Sequence, residues 1–161
     1  MGTIFIGWAI GGPLIGAFSD KLKSRKPLMF VSVVVSLLLL LVVMFVPHLH
    51  FIVLFVLMFL YGLFNTGVAT AYAVAGEIHD LSVVGMSVAF TNMVSILIGA
   101  LLQPLMGLLL DLNWHGQMLS GTKVYPQVAY SHAMWLLPCA LVISFLFLLF
   151  VKESYRVNNY D

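Results

Sequence analysis

Residues 16–27 read Gly16-Ala17-Phe18-Ser19-Asp20-Lys21-Leu22-Lys23-Ser24-Arg25-Lys26-Pro27, a cationic turn between two apolar runs that are each long enough to cross a bilayer. Four of the seven basic residues of the chain, Lys21, Lys23, Arg25 and Lys26, fall within this turn. Cytoplasmic loops carry the excess of Lys and Arg in membrane proteins, so the turn belongs on the cytoplasmic side and every other segment takes its orientation from it. A charged Asp at the bilayer centre costs about 2.5 to 3.5 kcal/mol on insertion scales, which places Asp20 at the cytoplasmic boundary.

Composition agrees with the turn. Of 161 residues, 62% are hydrophobic and 8% charged, which excludes an ordinary soluble domain and implies a polytopic membrane protein embedded in a lipid bilayer. A net charge of +1, with the positive charge spent on one topogenic loop, argues against a nucleic-acid partner. The lone Cys139 excludes an internal disulfide framework.

Outward from the turn, the pattern is all-α with five transmembrane helices, at about 1–18, 28–46, 51–75, 82–110 and 132–151. The motif loop 19–27 and the tail 152–161 are cytoplasmic, and 111–130 is an external loop with aromatic residues where an interfacial belt belongs. Met1 is then outside. The first span carries Gly7, Gly11, Gly12 and Gly16 at near-fourfold spacing, which lets a neighbouring helix backbone approach closely. The second is almost wholly Val, Leu, Met and Phe, with Ser32 and Ser36 its hydroxyls, and is expected to face lipid. His48 and His50 lie in a short external turn without a third metal ligand, so solvent-exposed turn residues are the better reading and no metal site is expected.

The third span changes from bulky to small and polar halfway. At about 100° per residue, Tyr61, Asn65 and Tyr72 fall within about 40° of one another, and on the fourth span Asn92, Gly99 and Gln103 form a second stripe. Such stripes face protein or water, as interhelical hydrogen bonds or as contacts to a solute. Glu77, Asp80 and Asp111 sit at span ends, and no nucleophile with a base lies at membrane depth, so neither an enzyme nor a cofactor is expected.

Gly16, Asp20, Lys21, Arg25 and Lys26, as Gly-x-x-x-Asp-Lys-x-x-x-Arg-Lys between two spans, resemble the signature loop of the major facilitator superfamily, which joins the second and third helix of each six-helix half. The sequence departs where a glycine commonly follows Lys-Leu: Lys23 stands at a turn position that favours positive φ. The family's acidic residue at the end of the next helix corresponds to Glu77. Its common partner, an arginine before a glycine, is replaced by Val84 before Gly85. The wording of the third and fourth spans also resembles helices ten and eleven of the superfamily, and nutrient carriers of intracellular bacteria. The resemblance implies a partial six-helix bundle, the carboxy-terminal half from helix eight to helix twelve, acting as a secondary transporter of a small polar solute in a bacterial inner membrane with an amino-terminal half as partner. A non-transporting remnant or assembly partner of such a carrier is the alternative. Asp20 is then either a latch to a helix start in the opposite half or a neutralising charge in a topogenic loop.

Overall fold

The computed structural model describes residues 2–119 and 121–153. Helix α1 (Gly2–Leu22) is followed by α2 (Lys26–Phe45), α3 (Phe51–Asn65), α4 (Val68–Glu77) and α5 (Val84–Leu112). A short hairpin, β1 (Met118–Leu119) with β2 (Thr122–Lys123), precedes α6 (Gln127–Met134) and α7 (Leu136–Phe150). Five helical stretches, with α3–α4 and α6–α7 each forming one, are long and apolar enough to cross a membrane. At about 1.5 Å per residue, the 20 residues of α2 cover about 30 Å, one hydrocarbon core.

Helix α1 packs along α3, α2 lies against α3 and α7, α4 meets α5, and α5 meets α6. The α1–α3 contact is close because both sides lack side chains at the crossing. A Cβ at Gly7 would overlap the Phe59 carbonyl, one at Gly11 the Leu63 carbonyl, and one at Gly62 the Ile4 carbonyl. Without a hydrophobic drive between helices in lipid, such backbone proximity supplies the dispersion contacts that hold the pair. Gly12 and Gly16 meet no atom within 4 Å, so the glycine repeat serves this contact through Gly7 and Gly11.

The boundaries shift from the sequence reading in ways the chemistry explains. Helix α1 continues through Asp20 to Leu22, so that Lys21 lies in its last turn where a cation complements the helix dipole; the reversal is left to 23–25. Lys23 takes φ +49°, the left-handed conformation that the glycine of the resembling motif would adopt without a Cβ penalty. The span expected at 51–75 breaks at Thr66–Gly67. There Gly67, Ala69 and Thr70 donate to the carbonyls of Phe64, Thr66 and Gly67 at 3.1, 2.8 and 3.1 Å, a three-residue hydrogen-bond spacing instead of four. Gly67 is needed at this break because Ser32 of α2 presses where a Cβ would stand.

The expectation that α2 faces lipid is corrected. Ser32 and Ser36 are 5% and 1% exposed and turn inward with Leu40. A hydroxyl in hydrocarbon seeks the protein side, so two serines four residues apart define the inner face of an otherwise uniform apolar helix. The fifth span begins earlier than expected, at Gln127, and steps from α6 to α7 at Trp135, ahead of Pro138. In the segment between α5 and α6, Met118 pairs with Lys123 and Leu119 with Thr122.

Candidate functional site

Arg25 is the centre of a network at the charged-turn end of the helices. Its Nε donates to Glu77 Oε1 and Oε2 at 3.2 and 3.3 Å, and Nη2 donates to Glu77 Oε1 at 2.6 Å. Nη1 donates to Ser19 Oγ at 2.7 Å and to Asp20 Oδ1 at 2.9 Å. One planar guanidinium thus joins the end of α1, the start of α2 and the end of α4, which a lysine could not do with a single point charge. Its pKa is raised above the usual guanidinium range, first by the hydrogen bond to Glu77, against a desolvation penalty and with a further contribution from Asp20. The guanidinium therefore stays charged at every working pH.

Glu153 closes the network from the other end of the chain. Its carboxylate accepts from the amides of Arg25 at 2.7 Å and Lys26 at 3.2 Å and from Ser24 Oγ at 2.5 Å. These are the orphan donors at the start of α2, which has Pro27 early in its first turn and no capping side chain of its own. Lys26 Nζ donates to the Leu149 carbonyl at 3.1 Å, tying α2 to the end of α7. Sequence reasoning missed Ser19 and Glu153. The available signal was the uncapped, basic start of α2, which calls for an anion from elsewhere in the chain.

Of the expected motif residues, Asp20, Arg25 and Glu77 meet, and Lys26 binds α7. Lys21 is exposed on α1, and Gly16 opens to unoccupied space. Glu77 therefore has an arginine partner after all, supplied by the motif turn instead of by the start of α5.

The two polar stripes meet at one point: Tyr72 Oη donates to Asn92 Oδ1 at 3.1 Å, linking α4 to α5. The expected alignment of Tyr61, Asn65 and Tyr72 does not survive the helix break. A turn of about 120° per residue in place of about 100° advances the chain by roughly 60° over three residues, so residues beyond Gly67 leave the line of those before it. Asn65 instead lines a cleft of about 200 Å³ with Ser32 and Ser36 of α2 and Ser144 of α7. Ser36 Oγ is sealed from solvent in that cleft and has no hydrogen-bond partner among the described residues. Tyr61 is half-buried on α3, while Asn92 and Gln103 are exposed on α5, none of whose residues is buried.

At the opposite end of the helices, Asp111 Oδ1 accepts from Lys123 Nζ at 2.9 Å and Tyr125 Oη at 2.6 Å, and Lys123 lies 5.0 Å over the Trp114 ring. This clasp ties the hairpin to the end of α5. His50 Nδ1 accepts from the Ile52 amide at 3.4 Å and so caps α3. Among the described residues no three His, Cys, Asp or Glu side chains gather to hold a metal ion.

Searches among curated proteins and among solved structures return no match. The family profile described as Major Facilitator Superfamily matches residues 1–160. With essentially its whole length matched and its five spans oriented around the charged turn, the chain belongs to the Major Facilitator Superfamily, a family of membrane transporters.

Proposed function

We propose that the chain is part of a secondary active transporter that moves a small polar solute by alternating access, and that it corresponds to the carboxy-terminal half of such a carrier, in a bacterial inner membrane. The observation that carries the reading is the Tyr72–Asn92 bond. It puts amide and phenol groups of two adjacent apolar helices together, on an α5 that buries none of its residues against the rest of the chain. Polar side chains left on an unburied helix face in hydrocarbon are costly, so that face is directed to a water-filled path or to further helices of the carrier. Asn92 and Gln103, together with Tyr72, offer donors and acceptors without fixed charge, which suits a neutral or zwitterionic solute. Asn65 instead lines the cleft with α2 and α7.

The Arg25 network supplies the cytoplasmic end of the cycle. It fixes α1, α2 and α4 as one body, while the Asp20 carboxylate, 66% exposed, can also accept from backbone amides at a helix start in the opposite half. Such a contact exists only with the cytoplasmic side closed and biases the carrier toward the outward-facing state by its own energy.

Reconstitution tests this directly. The chain alone in liposomes should give no uptake of radiolabelled neutral solutes above empty vesicles, and joined to the remaining helices of its carrier it should give saturable uptake. Saturable uptake by the chain alone would overturn the proposal that it is one half. An assembled carrier that folds yet moves nothing would favour the second reading, a non-transporting membrane partner, for which the half-unpacked α5 already speaks.

A further inference from the structure

The cytoplasmic halves of α1 and α2 stand apart above α3 and leave a groove of about 450 Å³. Leu14, Phe18 and Leu22 of α1 form one wall, Pro27 and Val31 of α2 the other, and Phe64 part of the floor. Leu14, Phe18, Leu22 and Val31 are each about half exposed or more, at 47%, 61%, 57% and 52%, so the groove opens sideways to the hydrocarbon. An apolar groove open in this way has the shape and lining for an acyl chain.

The charges at the mouth bear on the headgroup. At about 100° per residue, Lys21 falls within about 20° of Leu14 and about 60° of Phe18 around α1, so it ends the same face that lines the groove. Lys23 directly follows Leu22, the last lining residue of α1. The other two cations of the turn are committed elsewhere: Arg25 to Glu77, Asp20 and Ser19, and Lys26 to the Leu149 carbonyl. Lys21 and Lys23 are exposed and belong to no ion pair among the described residues.

We propose that this groove and its two lysines bind one anionic phospholipid, with an acyl chain along Leu14, Phe18 and Val31 and the phosphate on Lys21 and Lys23. Basic residues at the membrane face above an intramembrane apolar groove satisfy both ends of such a molecule, and long lysine stems reach the headgroup level without leaving hydrocarbon exposed. The assignment rests on the turn lying at the membrane surface, not on transport. Only the leaflet depends on the turn being cytoplasmic.

The test places a single indole in the groove by Phe18→Trp in a chain whose Trp8, Trp114 and Trp135 are replaced by Phe. The chain is reconstituted into phosphatidylcholine vesicles that contain, at equal mole fraction in both leaflets, either phosphatidylglycerol or phosphatidylcholine with brominated acyl chains. Each lysine near the surface is worth about fivefold in attraction of an anionic lipid, so quenching should show a preference for phosphatidylglycerol of fivefold or more. Lys21→Gln with Lys23→Gln should bring the preference close to one, whereas Lys26→Gln should leave it. Equal quenching by the two lipids, the same preference at a control indole placed by Leu146→Trp on α7, or loss of the preference in millimolar inorganic phosphate would overturn the proposal. Because both leaflets carry the probe, an inverted turn would not abolish the signal, and the outcome stands apart from that of the uptake assay.

Discussion

Glu77→Gln is expected to destabilise the chain by about 2 to 3 kcal/mol, and Asp20→Asn by no more than about 1 kcal/mol, although both remove an anion from the same guanidinium. The difference comes from solvent. The Arg25 and Glu77 side chains are 11% and 20% exposed, with Nη2 to Oε1 at 2.6 Å, whereas Asp20 is 66% exposed. Removing one partner of a buried pair costs about 3 to 5 kcal/mol, and an exposed pair is worth about 0 to 1 kcal/mol. Arg25–Glu77 lies toward the buried limit, and Gln keeps one acceptor oxygen, which lowers the cost from that limit. Unfolding the purified chain in mixed detergent micelles, followed by helix content, gives the free energies, and double-mutant cycles with Arg25→Ala isolate each pair. The expected coupling is about 2 kcal/mol for Arg25–Glu77 and below about 1 kcal/mol for Arg25–Asp20. Equal couplings, or a larger one with Asp20, would refute the argument that burial ranks the two bridges.

Gly62→Val should cost about 1 to 3 kcal/mol or more, because its new methyls have only the Ile4 backbone to move, while Gly16→Ala, facing open space, should be neutral or gain about 0.5 to 1 kcal/mol in the isolated chain; the same micelle titration reads both. Lys23→Gly should stabilise by up to about 1 kcal/mol, since φ +49° is strained for lysine and not for glycine, a gain that detergent unfolding would show and that a loss would contradict. The Asp111–Lys123–Tyr125 clasp should open at alkaline pH. Hydrogen bonding to Asp111 raises Lys123 above its ordinary 10.5 and Tyr125 above its ordinary 10.0, so the protonated forms are favoured in the folded state. The stabilisation is then complete below the unfolded values and lost as pH rises through the raised folded ones. Fluorescence of Trp114, alone after Trp8 and Trp135 are replaced by Phe, should change above about pH 10 and stay level from pH 6 to 9, and Lys123→Met should remove the transition.

Charge and hydropathy were enough to read the five spans, because a bilayer leaves backbone few options and punishes misplaced lysines. The motif turn was legible to the level of a single dihedral: the resemblance marked residue 23 as a positive-φ position, and Lys23 adopts that conformation. Local angular arithmetic failed where the helix stopped being a uniform helix. Nothing within 51–75 announces that Ser32 of α2 lies against Gly67 at the helix break, on either side of which Asn65 and Tyr72 meet different neighbours. Two hydroxyls in a 20-residue helix that is otherwise almost wholly apolar carry little signal by themselves; only the four-residue spacing of Ser32 and Ser36 marks a face. Glu77 and Arg25, 52 positions apart, could be paired only by the fold, and Glu153 lay in a tail that sequence alone made featureless.

On the proposed function, the polar face shared by α4 and α5 is directed to water in the assembled carrier. Cysteine introduced at Asn92 or Gln103, after Cys139 is replaced, should react with a membrane-impermeant thiol reagent in the complete carrier, and added solute should slow the reaction at Asn92. Cysteine at Leu146, on the apolar face of α7 and 51% exposed, should stay inert in the same membranes. Reactivity at Asn92 and Gln103 no greater than at Leu146, with and without solute, would contradict the account.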